Sequence, residues 1–287
     1  MKDIVLDTDA YNEIDDQYAI AYLLKNEDQL NTQAIYAAPF SNALAATPKE
    51  GMEKSYEEIF KLLKLCGKEV PVYKGSAFYL PNEQTAVDSP AARDIIARAK
   101  QHSAEDPLYV VAISAITNVA SALLLDPKIS ESIVVVWLGG HAHHWQDTVE
   151  FNMKQDIAAA RVVMGSKAPF VQLPCRGVVS EFATTAPELE KLLYDKNPLA
   201  DYLARNTVYH MVHRKNAGKI WSKPLWDVTA IGWLLNDKNR FMVSKKCPVR
   251  LPEYDNTYGE PREKQIEYVY GIKRDALMTD LVEKLTK

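Results

Sequence analysis

The sequence predicts an α/β protein with an open, mainly parallel sheet flanked by helices on both faces. Three observations carry that expectation. Short β-branched runs alternate with amphipathic helical stretches over most of the chain. With 287 residues, 47% of them hydrophobic, the chain is long and apolar enough to bury a large core. No Pro/Gly/Ser-rich linker or low-complexity tract divides it, so one domain over residues 1–287 is expected.

The strand candidates are DIVLD at 3 to 7, QAIYAA at 33 to 38, VPVYKG at 70 to 75, LYVVAIS at 108 to 114, SIVVVWLGG at 132 to 140 and PFVQLPC at 169 to 175. Between them, EGMEKSYEEIFKLLKLCG has helical periodicity and stops at Gly67. SPAARDIIARAKQH opens on a serine cap followed by proline, the signature of a helix start. Strands separated by helices pair in parallel, giving a Rossmann-like sheet. The third quarter turns helical, with NPLADYLARNTVYHMVHRK and PLWDVTAIGWLLND. A β-hairpin-like segment around 241 to 272 and a last helix, RDALMTDLVEKLTK, complete a helical and β-hairpin C-terminal region.

Charge and cysteine usage narrow the function classes. A formal charge of -4 without a dense Lys/Arg stripe argues against nucleic acid or an anionic membrane as partner and favours a small molecule. Cys66, Cys175 and Cys247 form no C-x-x-C pair, so neither a disulfide framework nor a structural zinc site is expected. With no cationic, apolar leader and no membrane-spanning run, a cytoplasmic location is the expectation.

In an open parallel sheet, ligands bind beyond the carboxyl ends of the strands. The polar residues there are Asp7, Asp9, Asp15 and Asp16 after the first run, Ser41 and Asn42 after the second, and Thr117 and Asn118 after the fourth. His141, His143, His144, Glu150 and Asn152 follow the fifth. Asp15 and Asp16 have an ordinary role open to them at a helix N-terminus, where carboxylates gain from the helix dipole. That role leaves Asp7 and Asp9 unexplained. Crowded like charges either raise a pKa or recruit a cation, and an all-oxygen set suits a hard one, Ca²⁺ or Mg²⁺.

The stretch DTDAYNEIDD resembles the N-terminal D-x-D-x-x-x-D-D motif of the inosine/uridine-preferring nucleoside hydrolases, with two more residues between its aspartate pairs. Four further segments resemble that family in order: FSNALA, ISAITNVASALLLDP, WLGG followed by VEFNMKQDIAAA, and LWDVTAIGWLLND. The resemblance implies hydrolysis of a ribonucleoside to ribose and free base, by a chain that forms a homo-oligomer. It implies that Asp9, Asp16, the backbone carbonyl of Thr117 and Asp227 coordinate Ca²⁺, with Asp7 bracing them. Asp15, Asn42, Glu150 and Asn152 would hold the ribose hydroxyls, and Asp9 would act as general base on a metal-bound water. Such a set fits an oxocarbenium-like reaction, which needs a positioned water and tolerance of positive charge at the sugar.

Where purine-cleaving members carry a histidine that assists the departing base, this chain has Trp226, whose indole is no acid at neutral pH. Trp226 could stack on a base. His141, His143 and His144 are candidates for base contact or leaving-group acid, against the alternative of an exposed turn. Tyr209, His210 and His213 lie on a helix expected to be packed or at the surface, and Trp221 and Trp233 are expected in the core. In the lengthened loop, Asn12 or Glu13 could cap the next helix, the first expectation, reach into the ribose pocket or lie in solvent. Two alternatives stay open: a Ca²⁺-dependent ribosyl-binding protein without turnover, and a haloacid-dehalogenase-type phosphatase, whose D-x-D start DTDAY resembles.

Overall fold

A strand that alternates two apolar faces must be covered on both, and β1 (Lys2–Thr8) does so in the computed structural model, which describes residues 1–215 and 219–287. Ile4 and Leu6 enter one core and Val5 the other. Around β1 lie β2 (Leu30–Ala37), β3 (Val72–Lys74), β4 (Leu108–Ala112), β5 (Ile133–Leu138) and β6 (Phe170–Leu173), all parallel. A two-residue ribbon, β7 (Ala183–Thr184) with β8 (Lys223–Pro224), stands apart, while β9 (Met242–Pro248) and β10 (Gln265–Ile272) extend the main sheet. β10 runs parallel to β6 and antiparallel to β9, giving the order β3-β2-β1-β4-β5-β6-β10-β9. The C-terminal hairpin is therefore the edge of the main sheet.

The first core packs α1 (Asp15–Leu24) and α2 (Pro48–Cys66) onto one face of the sheet. The second packs α3 (Pro90–Ala99) and α4 (Thr117–Leu125) onto the other, followed by α5 (Phe151–Gln155) and α6 (Ile157–Gly165). α7 (Ala186–Leu193), α8 (Pro198–His210), α9 (Val228–Leu234) and α10 (Arg274–Thr286) join the first core, with α1 against α9. Local signals set the helix ends. Ser89 accepts from the Ala92 amide at the start of α3, and Gly67 ends α2 with φ +63°, a backbone state in which glycine meets no Cβ penalty.

Candidate active site

Strand order reverses between β1 and β4, and a cavity of about 450 Å³ opens at their carboxyl ends beside Asp9 and Ile113. Seven segments converge on it: the β1–α1 loop, the loop after β2, Ile113 after β4, the stretch from Leu138 to Lys154, the loop after β6, the end of α8 at His210 and the start of α9.

Alternation along β1 decides which aspartate meets the cavity. Asp7 shares Val5's face, turns toward α4 and accepts from Asn118 Nδ2 at 2.8 Å; burial pushes its carboxyl up to about 7. Thr8 points the other way and donates to Asp16 Oδ1 at 2.5 Å. Asp9, beyond the strand, is 1% exposed, and neither of its oxygens accepts a hydrogen bond. Burial first, then the Asp16 charge, drives its carboxyl well above the usual range. Asp227 is driven the same way, by burial and then by Asp15 and Asp16. Asp16 rises to about 8, for burial and then for Asp15.

Asn118 is pinned from behind by Gly75. A Cβ there would fall 2.2 Å from the Ala37 carbonyl oxygen and 2.4 Å from Asn118 Nδ2. Gly75→Ala is expected to lower stability by roughly 1 to 3 kcal/mol through overpacking and to slow turnover by loosening Asp7. Urea midpoints and rates on the same samples check this; an unchanged midpoint would show that the contact relaxes freely.

Glu150 caps α5 and accepts from the amides of Gly140, Asn152 and Met153, each at 2.9 Å. Its carboxylate faces the cavity already oriented, and Asn152 beside it donates to the Leu138 carbonyl at 3.0 Å. Across the cavity, Asn42 donates to Asn12 Oδ1 at 2.7 Å. On the last wall Trp226 donates to Ser180 Oγ at 2.9 Å. Behind Trp226 lies Lys223, whose ammonium is 4.2 Å from the indole centroid.

The family model described as inosine-uridine preferring nucleoside hydrolase matches residues 4–279. The chain belongs to that family. Among curated proteins, the pyrimidine-specific ribonucleoside hydrolase RihA of Klebsiella pneumoniae (strain 342) is 30% identical over 241 residues, covering 73% of this chain and 76% of its own length. The Shewanella sp. (strain MR-7) protein of the same name is 27% identical over 241 residues, 74% and 75% of the two chains. A solved plant nucleoside hydrolase superposes with a TM-score of 0.78 at 18% identity, covering 99% of both chains. A purine-preferring ribonucleoside hydrolase from Gardnerella vaginalis gives 0.74 at 21% identity, covering 99% of this chain and 98% of its own.

For this nucleoside hydrolase the phosphatase alternative falls away, and the expected residues can be located one by one. Asp9, Asp15, Asp16, Asn42, Glu150, Asn152, Trp226, Asp227 and His141 line the cavity. Thr117 opens α4 away from the lining and spends its hydroxyl on Asp156 Oδ2 at 2.7 Å. His143 and His144 need correction as base contacts. They border a separate pocket with Cys247 and Tyr268, because the His143 amide donates to Tyr268 Oη and its ring packs 4.4 Å from that tyrosine. Burial pushes the His143 imidazole down to about 4.

The loop expectation is corrected too. Ile14 stands at the N-cap of α1, with no side-chain cap, while Asn12 pairs with Asn42 and Glu13 with Lys223 at 2.6 Å. Tyr209 is exposed and packs its ring, tilted, against His213 as on a surface helix, while His210 reaches the cavity. Trp221 and Trp233 are partly buried against the first core. Lys154 and Arg176 also line the cavity, and Lys223 packs beneath its Trp226, without a signal in the motifs above. Extending the carboxyl-end rule to the sixth run would have found Arg176, just past PFVQLPC.

Proposed function

We propose that the protein hydrolyses the N-glycosidic bond of a ribonucleoside to ribose and free base, with Ca²⁺ as its resident cation. The observation that carries this is the Asp9 carboxylate, buried at the cavity floor with both oxygens lacking a hydrogen-bond donor. A buried group of that kind calls for a missing partner. Asp9, Asp16, Asp227 and the Thr117 carbonyl would hold the cation, an all-oxygen donor set that suits a hard ion. Among the described residues no three His, Cys, Asp or Glu side chains stand close enough to cage a metal as arranged, so the support lies in donor chemistry and charge. When bound, such a cation supplies affinity for the sugar diol and for water, and neutralises the crowded carboxylates.

The chain's own groups do the rest. Asp9 takes a proton from the attacking water. Asp15, Asn42, Glu150 and Asn152 hold the ribose hydroxyls, with Glu150 oriented by its three amides and Asn42 by Asn12. The curated relatives named above are pyrimidine-specific, so pyrimidine ribonucleosides are the first substrates to test.

The test is release of reducing sugar from purine and pyrimidine ribonucleosides, with chelator and with Ca²⁺ restored. Chelation is expected to abolish release and Ca²⁺ to restore it, and 2′-deoxyribonucleosides should react at least about 10²-fold more slowly. Full activity in chelator, or equal rates on ribo and deoxy substrates, would remove the cation and diol from the mechanism. Trp226, which offers no acid, favours a second reading, ribosyl binding without turnover; tight Ca²⁺-dependent binding with no sugar release would select it. The same proposal includes a cytoplasmic location, in keeping with free Cys66, Cys175 and Cys247, and a homo-oligomer, resting on family membership alone. No helix among the described residues is long and apolar enough to cross a membrane.

A further inference from the structure

Two segments are laced together on the Trp226 side of the cavity. The Cys175 amide donates to the Gly140 carbonyl at 2.8 Å and the Ala142 amide to the Arg176 carbonyl at 2.9 Å. His141 sits between those bonds, 2% exposed, and its Nδ1 accepts the Arg176 amide at 3.3 Å. An accepting Nδ1 in a neutral ring puts the proton on Nε2. That N–H lies on a cavity-lining residue, is buried, and meets no acceptor in hydrogen-bond geometry, the Val149 backbone being its neighbour. Burial, helped by the Arg176 charge, holds the ring neutral more firmly than usual.

Arg176 is the second element. Its side chain is exposed and lines the cavity, and among the described residues it forms no ion pair with a carboxylate. The Trp226 indole is tied to the same loop through Ser180, which in turn donates to the Cys175 carbonyl at 2.9 Å. An indole, a neutral N–H donor and a guanidinium thus line the same cavity, carried by segments that are tied to one another. A base carrying an added proton would meet the guanidinium's like charge there, whereas a base gaining electrons would be favoured.

Taking the hydrolase activity proposed above as given, we infer that the base leaves as an anion, received by the His141 Nε2–H and the Arg176 charge without a general acid. The C1′–N bond breaks with its electron pair passing to the base nitrogen and on to an adjacent carbonyl oxygen. Water oxygen bonds to C1′, and its proton goes to Asp9. After release the base anion takes a proton from solvent and Asp9 returns its own, so one water is consumed for one ribose and one neutral base. The substrate class is a ribonucleoside whose base has a carbonyl beside the glycosidic nitrogen, as oxo-pyrimidines have: that oxygen gathers charge and matches a fixed N–H donor.

The experiment compares uridine with 4-nitrophenyl riboside, whose leaving group departs as a stable anion unaided, in Ca²⁺-loaded wild type, His141→Phe, His141→Gln and Arg176→Gln. On uridine, kcat/KM is expected to fall about 10²-fold in His141→Phe and about tenfold in Arg176→Gln, with partial recovery in His141→Gln, which keeps a donor. On 4-nitrophenyl riboside all variants should stay within about threefold of wild type. Equal losses on both substrates would make these residues structural and overturn the inference, as would unchanged rates on uridine. Wild type inactive on both substrates would instead overturn the hydrolase proposal and the inference with it.

Discussion

Asp9→Asn is expected to fold, to be at least as stable as wild type, and to lose about 10⁴ in turnover, the upper end of what removing a general base costs. That loss corresponds to roughly 5 kcal/mol of barrier. The physical case has two halves. Asn fills the Asp9 volume and removes a charge from beside Asp16 and Asp15, whose own charges drive the Asp9 carboxyl upward after burial has done so. Removing one negative charge from this cluster relieves repulsion that the native chain tolerates for function. The amide cannot accept the water's proton, and it binds a hard cation more weakly than a carboxylate does. Calorimetric midpoints with and without Ca²⁺, beside initial rates, give the check. Activity within tenfold of wild type would remove Asp9 as the base, and an unfolded variant would recast it as a structural residue.

Lys223→Met is expected to lower stability by roughly 3 to 5 kcal/mol, the cost of removing one partner from a buried ion pair. Lys223 is 3% exposed and its ammonium sits 2.8 Å from Asp15 and 2.6 Å from Glu13. Burial alone would drive its proton off, but Asp15 and then Glu13 outweigh burial, and the net shift is upward from 10.5. The sign follows: a proton held more tightly in the folded than in the unfolded chain stabilises fully below the ordinary lysine pKa, and that contribution fades only at more alkaline pH. Lys223→Met leaves Asp15, at 2% exposure, as an unpaired buried anion lining the cavity. Its KM for a ribonucleoside should therefore rise, and adding Asp15→Asn to it should recover part of the lost stability. Urea unfolding at pH 7 checks the pair. A loss below about 1 kcal/mol would place it with ordinary surface ion pairs.

The architecture was legible because its signals are local. Alternation of Ile4, Val5 and Leu6, the Ser89 cap and the Gly67 stop each act within a few residues, and the rule about strand carboxyl ends turned that order into a shared rim. Family motifs pointed to Asp9, Asp16, Asn42, Glu150 and Asp227, all of which line the cavity. The histidine loop shows the limit. HAHHW reads as one cluster, yet backbone bonds from Ala142 to Arg176 and from His143 to Tyr268 turn His141 into the cavity and His143 and His144 out of it.

By itself, then, the sequence determined the parallel sheet, the helix ends and the segments that meet at the rim, since hydrophobic period and capping are properties of neighbours in the chain. Only the tertiary structure decided which side chains pair there. Lys223 meets Asp15 at a sequence separation of 208 and Glu13 at 210, and Asn12 reaches Asn42 instead of capping its own helix. Such pairings are chosen by the desolvation cost of buried charge, which forces each ion toward whatever opposite charge the fold brings near, and no local pattern encodes that choice.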